Sequence, residues 1–181
     1  MLPMIREVRD ADMPAIAEIY ADEVRQRVNT YEYDVPDVDE MRRRMRALLA
    51  DGFPFLVAEY DGRVAGYAYA GSFRARLGYR FTVKNSVYVA ADRQGHGIGA
   101  ALLAALIEAC TARGYRQMIA VIGEPTNNAS IGLHARFGFE HTGTMPGIAW
   151  KHGRWLDTVF MQRALGDGTS TPPPDLVGST P

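Results

Sequence analysis

The sequence predicts an α/β domain with a mixed, mainly antiparallel β-sheet. The first observation is a hairpin, because the predicted strands at residues 55–60 and 64–73 flank Asp61-Gly62, a strong short hairpin signal. The second is a strand at residues 80–89, rich in β-branched and aromatic residues, that runs through a glycine-rich turn into a long helical repeat. Strands thus cluster before this helix, and only one clear strand–helix–strand unit follows it.

The helices are predicted from apolar spacing and from capping residues. Asp10 can cap a first helix, in which Pro14 is tolerated in the first turn. Asp37, with Glu40 three residues later, marks the start of a second helix, whose run of arginines we expect to form a solvated face. Gly114 ends the third helix. In chain order the sequence predicts a strand at 5–8, the first helix, an exposed functional loop at 28–36, the second helix, the hairpin, the strand at 80–89, the third helix, a strand at 117–122, a short helix at 127–137 and a last strand at 155–163.

Composition limits the class of protein. The chain has 181 residues and fits one globular domain at residues 1–165, followed by a Gly/Ser/Thr/Pro-rich tail at 166–181 that we expect to be disordered. A net charge of -1 gives no basic surface for nucleic acid. No long apolar run or signal region is present, so we expect a cytoplasmic protein without a membrane segment. Cys110 is the single cysteine, which excludes an internal disulfide, and no set of metal ligands is visible.

The turn before the third helix carries glycines at every second position, Gly95, Gly97 and Gly99. A glycine lets the backbone approach a ligand closely or adopt a positive φ. Bare amides that lead into a helix N-terminus form an anion site, so we expect a phosphate or pyrophosphate here. A P-loop would need Lys and Ser/Thr where the sequence has Ala100 and Ala101, and the further glycine of a dinucleotide fingerprint is missing. A turn that only reverses the chain is the structural alternative.

Residues 94–99, Gln-Gly-His-Gly-Ile-Gly, have the Gln/Arg-x-x-Gly-x-Gly/Ala form and resemble the acetyl-CoA loop of the GNAT superfamily of N-acetyltransferases. Later segments narrow the resemblance to the phosphinothricin / methionine sulfone / methionine sulfoximine N-acetyltransferase group, over residues 5–165. The resemblance implies a GNAT fold, with the central sheet splayed at the acetyl-CoA site and flanked by helices. The segments that match in order and spacing are residues 82–89, 127–134, 137–139 and 153–157.

The resemblance also assigns cofactor contacts. Strand backbone at Val87, Tyr88 and Val89 would meet the pantetheine arm, and Asn127 would hydrogen-bond the cofactor. Asn is also a preferred helix N-cap, so Asn127 could serve as a cap, as a cofactor contact, or as both. The pyrophosphate would be held by Gly95, His96, Gly97, Ile98, Gly99 and Ala100.

His134 lies two helical turns after Asn127 and therefore on the same face of the short helix. Many members of the superfamily have Tyr at this spacing, which protonates the departing CoA thiolate, and the resembling group has His. An imidazole with an ordinary pKa near ~6.5 could supply that proton or orient the acyl group. A satisfied structural histidine is the alternative.

One position expected to bind the amine acceptor differs from the family pattern. Relatives carry Glu at the third position of Thr-Val-Glu, where it is thought to bind or deprotonate the substrate amine, but this chain has Lys84. A charged Lys84 would repel an ammonium group. Either Glu32 or Asp34 does that work through water, or the acceptor differs, or Lys84 holds an acidic group of the acceptor, or Lys84 simply points to solvent. The resemblance and the neighbouring positions suggest further acceptor contacts at Arg74, Arg76, Asn85, Ser86 and Tyr31.

Together these features predict direct acetyl transfer from acetyl-CoA to the amine of a small amino-acid-like acceptor, such as phosphinothricin, methionine sulfone or methionine sulfoximine. Backbone amides at residues 87–89 would stabilise the oxyanion, and His134, Lys84 and Glu32 are the catalytic candidates. The alternatives are a CoA-binding protein whose acceptor chemistry is altered or lost, and a protein N-terminal or lysine acetyltransferase. The resemblance implies a homodimer as well.

Overall fold

The computed structural model describes residues 2–173 of the chain. Within this part, seven strands form one sheet in the order β1-β2-β3-β4-β5-β7-β6, and four α-helices flank it. Across the same residues, no helix combines the length and the apolar composition needed to cross a bilayer. The elements are β1 Met4–Glu7, α1 Met13–Gln26, α2 Val38–Ala50, β2 Phe55–Tyr60, β3 Arg63–Ser72, β4 Thr82–Val89, α3 Ile98–Ala112, β5 Gln117–Gly123, α4 Asn128–Arg136, β6 Glu140–Lys151 and β7 Arg154–Ala164.

The sheet is mixed, which confirms the predicted α/β class. Every neighbouring pair of strands is antiparallel except β4 and β5, which are parallel. Helices α1 and α2 cover one face and bury Tyr67 and Tyr88. Helix α3 covers the other face and buries Val83 and Met118. Each face therefore has its own apolar core, and β4 contributes alternate side chains to both.

Strands β4 and β5 separate soon after they begin to pair. Their ladder covers only Thr82 to Lys84 on β4, whereas β4 stays paired with β3 as far as Val89. Beyond Lys84 the two strand edges face each other across a gap, and backbone groups along such an edge need other partners. The gap opens at the carboxyl end of β4, next to the glycine turn, which is the place predicted for the cofactor.

The sequence does not predict strand β6. Its alternation is broken by Gly143, Pro146 and Gly147, and its register with β7 shifts at two places. β6 is also an edge strand whose side chains are almost all exposed. An amphipathic pattern of period two is therefore absent, and only the exposed Ile148 and Trp150 hint at a strand.

The predicted tail at residues 166–181 is described as far as residue 173. Arg116 donates hydrogen bonds to the carbonyl oxygens of Gly168 and Pro172, at 3.2 and 3.0 Å, so this first part of the tail lies beside the start of β5. Residues 174–181 lie outside the described residues, and the predicted disorder stays a prediction there.

The loop between α1 and α2, residues 27–37, is tied to the rest of the domain. Lys151 at the end of β6 donates hydrogen bonds from Nζ to the carbonyl oxygens of Arg27 and Thr30, both at 2.7 Å. Lys151 is 2% exposed, and burial lowers its pKa. A buried ammonium group is costly unless it is hydrogen-bonded, so these two carbonyls and Lys151 hold each other in place.

The α1–α2 loop also rests on the ends of β5 and β7. Tyr31 Oη lies 2.5 Å from Thr158 Oγ1. The Val28 carbonyl packs directly on Gly123, because a Cβ placed on Gly123 would lie 2.1 Å from that oxygen. Close approach of two backbones, rather than an unusual φ, is what requires glycine here.

Gly123→Ala should therefore displace the α1–α2 loop, since the added methyl group overlaps the Val28 carbonyl. We expect the free energy of unfolding to fall by about 1–3 kcal/mol, measured by urea denaturation. Gly143→Ala is the matched control, because a Cβ on this strand glycine meets no atom within 4 Å. Equal stability of the two variants would contradict the packing described.

Candidate active site

A cleft of about 760 Å³ opens where β4 and β5 part, a volume within the range of roughly 300–1,000 Å³ that is usual for ligand sites. Its walls are residues 85–89 of β4, residues 120–123 of β5, the glycine turn with the start of α3, one face of α4, and the end of α1. The predicted site residues that line it are Asn85, Ser86, Val87, Tyr88, Val89, Gly95, Gly97, Ile98, Gly99, Ala100, Asn127 and His134.

The glycine turn forms the mouth of the cleft. Gly95 and Gly97 have φ angles of +80° and +78°, where side chains are strained, and Gly97 is the N-cap of α3. The first helical hydrogen bond runs from Ala101 N to Gly97 O at 3.0 Å. The amides of residues 98–100 consequently have no acceptor within the helix and are available to an anion.

Side chains on the cleft wall add positive charge near this turn. Arg27, Arg93 and Arg136 all line the cleft, and none of them was expected from the sequence. They come from the start of the α1–α2 loop, the segment just before the glycine turn and the end of α4, so three separate parts of the chain contribute guanidinium groups that suit phosphate. No local motif joins them, which is why only the fold reveals the group.

His96 is the one residue of the predicted pyrophosphate loop that does not line the cleft. Its side chain is exposed, and Nδ1 lies 3.0 Å from the carbonyl oxygen of Gln94. The ring packs beside Tyr60, with centroids 5.5 Å apart. The imidazole therefore points back onto its own loop, and only the backbone of His96 can contribute to the turn.

Asn127 caps α4 and also contacts the α1–α2 loop. Its Oδ1 accepts a hydrogen bond from Ser130 N at 3.1 Å, which confirms the expected N-cap. Its Nδ2 donates to Asn29 Oδ1 at 2.8 Å. The amide thus joins the two sides of the cleft at the end of β5.

His134 is buried at the floor of the cleft and is 4% exposed. Its Nδ1 lies 2.8 Å from the carbonyl oxygen of Ser130, so Nδ1 carries a proton and donates it. Its Nε2 lies 3.1 Å from Asn85 Oδ1, and Asn85 Nδ2 donates to the carbonyl oxygen of Ile119 at 3.4 Å. Burial lowers the pKa of His134, and the bond to Ser130 partly opposes this shift.

The two acceptors around His134 constrain its protonation. Asn85 Oδ1 can accept a hydrogen bond from Nε2 only when Nε2 carries a proton. In the neutral ring the proton sits on Nδ1, so Nε2 is itself an acceptor and needs a donor opposite it. Rotation of the Asn85 amide would supply such a donor, at the cost of the weak bond to Ile119. Nε2 is therefore the atom at which a proton can come and go.

Two predicted acceptor residues lie outside the cleft lining and already have partners. Glu32 forms an ion pair with Arg44, with Oε1 2.6 Å from Nη1, and Arg44 also binds Glu40. Tyr31 is occupied by Thr158. The ion pair holds the Glu32 carboxylate against α2, outside the cleft lining.

The three predicted cations on the acceptor side are not part of the cleft lining either. Arg74 stacks on Phe73 and Tyr79, with its guanidinium 5.4 and 5.9 Å from the ring centroids. Arg76 and Lys84 are exposed, and Lys84 projects from the face of β4 that α1 and α2 cover further along. None of the three lines the cleft that contains His134.

Glu23 is a cleft residue that was not predicted from the sequence. It is 3% exposed and lines the cleft from α1. A signal existed, because Glu23 follows Ile16 and Tyr20 on the apolar face of α1, at helical spacing. An acid on such a face must have a partner or a function.

The chain belongs to the GNAT acetyltransferases. The family model described as an acetyltransferase (GNAT) domain matches residues 5–160, a range that contains the parted strands, the glycine turn and both walls of the cleft. The predicted superfamily and its fold are thus confirmed.

Several similar proteins within this family are named for their acceptors. The phosphinothricin N-acetyltransferase of Alcaligenes faecalis is 48% identical over 93% of this chain and 86% of its own length. The L-methionine sulfoximine/L-methionine sulfone acetyltransferase of Pseudomonas paraeruginosa is 43% identical over 95% of this chain and all of its own. Among solved structures, a phosphinothricin acetyltransferase from Sinorhizobium meliloti in complex with AcCoA superposes with a TM-score of 0.94 at 47% identity, covering 97% of this chain and 95% of that one.

The buried His134 makes stability depend on pH. Because burial lowers its pKa in the folded state, the unfolded chain binds more protons as the pH falls through the ordinary value of 6.5, and the free energy of unfolding decreases. His134→Gln should reduce this loss between about pH 7.5 and about pH 5, measured by urea denaturation. The exposed His141→Gln is the control and should keep the wild-type pH dependence. An identical pH slope in both variants would refute the burial argument.

Proposed function

We propose that this acetyltransferase moves the acetyl group of acetyl-CoA directly to the α-amine of a small amino-acid-like acceptor, such as phosphinothricin, methionine sulfone or methionine sulfoximine. The gap between β4 and β5 carries the proposal, because it offers a thioester carrier a path from the glycine turn to the middle of the sheet. The relatives at 43–48% identity are named for these acceptors. We place the reaction in the cytoplasm, where a free thiol such as Cys110 stays reduced.

The cofactor contacts follow the walls of the cleft. The pantetheine amides would pair with β4 beyond Lys84, where the β5 ladder has ended, in the way that an added strand pairs with a sheet edge. The diphosphate would bind the free amides of residues 98–100, with Asn127 on the opposite wall. The guanidinium groups of Arg27, Arg93 and Arg136 would balance its charge.

The residues of the cleft support direct transfer. Amides of residues 87–89 would polarise the thioester carbonyl and stabilise the tetrahedral oxyanion. His134 Nε2 is the site at which a proton can be passed to the CoA thiolate. Cys110 is fully buried in the apolar core, where burial raises the pKa of its thiol to about 12, so an acyl-enzyme through this cysteine is not part of the mechanism.

Two measurements test the activity and separate it from its alternatives. Isothermal titration should detect acetyl-CoA binding, and a thiol-release assay should detect turnover with phosphinothricin, methionine sulfone or methionine sulfoximine. Tight binding with no release from any of these amino acids would favour a CoA-binding protein without this activity. Release only with peptides that carry a free N-terminus or a lysine would favour a protein acetyltransferase.

Lys84→Glu tests the effect of having lysine at the position where relatives carry glutamate. The substitution removes a charge that repels an ammonium group and introduces one that attracts it, and each is worth about 1 kcal/mol at a few ångströms in water. We expect kcat/KM for methionine sulfone to rise several-fold in the thiol-release assay.

Lys84→Gln is the matched control, because it removes the positive charge without adding an acid, and it should give a smaller gain. Unchanged or reduced turnover of Lys84→Glu would contradict the repulsion and favour a role for Lys84 in holding an acidic group of the acceptor.

We also propose a homodimer that uses the β6 edge. This edge strand and its neighbour expose Ile148, Trp150 and Trp155, and the two indole rings form an edge contact with centroids 5.3 Å apart. An exposed apolar edge strand is a template for pairing. Light scattering should give about 40 kDa, twice the chain mass of 20.0 kDa, and a monomer mass at micromolar concentration would contradict the dimer.

A further inference from the structure

Among the described residues that line the cleft, Glu23 has the only carboxylate. We propose that Glu23 is the catalytic base of this enzyme and accepts the proton that the acceptor ammonium loses before the amine attacks the thioester. The inference rests on the proposed acetylation of an amine, and it gives the proton-accepting role to a residue on α1 instead of β4.

The carboxylate of Glu23 is held in one orientation. The side chain is 4% exposed, and Oε2 accepts a hydrogen bond from Asn29 Nδ2 at 2.6 Å. Asn29 Oδ1 in turn accepts from Asn127 Nδ2 at 2.8 Å. Two amides therefore connect the carboxylate to the wall on which the cofactor is expected, whereas Oε1 forms a longer ion pair with Arg27 Nε at 3.6 Å and accepts no closer contact from the described residues. Oε1 is the oxygen that remains for an acceptor ammonium.

The surroundings of Glu23 strengthen its carboxylate as a proton acceptor. Burial is the largest influence and raises the pKa of Glu23, whereas Asn29 and Arg27 act in the opposite direction. A carboxylate whose pKa lies above its usual range is a stronger proton acceptor. The charged and titratable groups that face it are Asp22 on α1, Arg27 at the start of the α1–α2 loop, Lys151 on β6, Tyr67 on β3 and Tyr88 on β4.

The other acids and bases near the site are excluded from this role by their contacts. Glu32 is paired with Arg44, and the exposed Lys84 lies outside the cleft lining. His134 lies on the opposite face of β4, since it contacts Asn85, whose neighbour in the alternation is Val83 of the α3 core. The two titratable groups thus flank the gap from opposite faces, which suits one for the amine and the other for the thiolate.

Acetyl transfer removes two protons from the acceptor ammonium, forms the amide bond and breaks the carbon–sulfur bond. The acceptor ammonium gives one proton to the Glu23 carboxylate, and the freed nitrogen lone pair forms the bond to the acetyl carbon while the carbonyl electrons move to oxygen. When the carbonyl re-forms, the carbon–sulfur bond breaks and its electron pair leaves on the CoA thiolate. The second amine proton is delivered to that thiolate, and Glu23 releases its proton to solvent, so one proton leaves per turnover.

Glu23→Gln tests the proposal, because it keeps the shape and the hydrogen bond from Asn29 but cannot accept the proton. With methionine sulfone as acceptor, we expect kcat/KM to fall about 100-fold near pH 7 and the loss to shrink towards pH 9.5, where more free amine is present. The dissociation constant of acetyl-CoA, from isothermal titration, should stay within about twofold.

Glu18→Gln, an exposed acid on the same helix, is the matched control and should keep the wild-type pH profile. A loss in Glu23→Gln that is the same at every pH, or no loss, would overturn the proposal and leave Glu23 as an anchor of the α1–α2 loop. If Glu23→Gln does not fold, Glu23→Asp keeps the carboxylate and must retain the wild-type pH dependence at a lower rate. A wild-type enzyme that binds acetyl-CoA but acetylates none of the three amino acids defeats the proposed function itself, before any variant is compared.

Discussion

The short parallel ladder between β4 and β5 is the constraint on which the site depends. It ends at Lys84, and the one side-chain hydrogen bond across the following gap, from Asn85 to Ile119, is long at 3.4 Å. A sheet with two unpaired internal edges would normally close. Here the domain holds the edges apart from both faces, and a ligand that pairs with β4 is the natural way to satisfy its backbone.

The two faces keep the gap open by different means. On the α3 side the packing is apolar and close: a Cβ on Gly66 would lie 2.8 Å from Tyr88 O and 3.2 Å from Ile98 Cγ2, so a glycine in β3 lets α3 begin directly against the sheet. On the α1 side the contacts are hydrogen bonds. Lys151 of β6 and Asn127 at the start of α4 both donate to the α1–α2 loop, the latter to Asn29. The apolar face fixes the start of α3, whose amides we assign to the diphosphate, and the polar face carries Glu23.

Local patterns in the sequence predicted the parts of the site that local chemistry determines. The glycine turn, the cap at Asn127 and the position of His134 each follow from a few neighbouring residues. Glu23 and Arg136 reach the same cleft from elements far apart in the chain, so their roles depend on tertiary packing that spacing alone does not reveal. Glu32 illustrates the converse, since its place in the sequence suggested catalysis, but the fold pairs it with Arg44 of α2 outside the cleft lining.

A crystal structure of the enzyme with acetyl-CoA would show whether the gap between β4 and β5 holds the cofactor. We expect the diphosphate on the amides of residues 98–100 and the pantetheine arm paired with β4 beyond Lys84, between the two strands. A cofactor bound elsewhere, or a gap closed by β5 pairing along the full length of β4, would contradict this expectation.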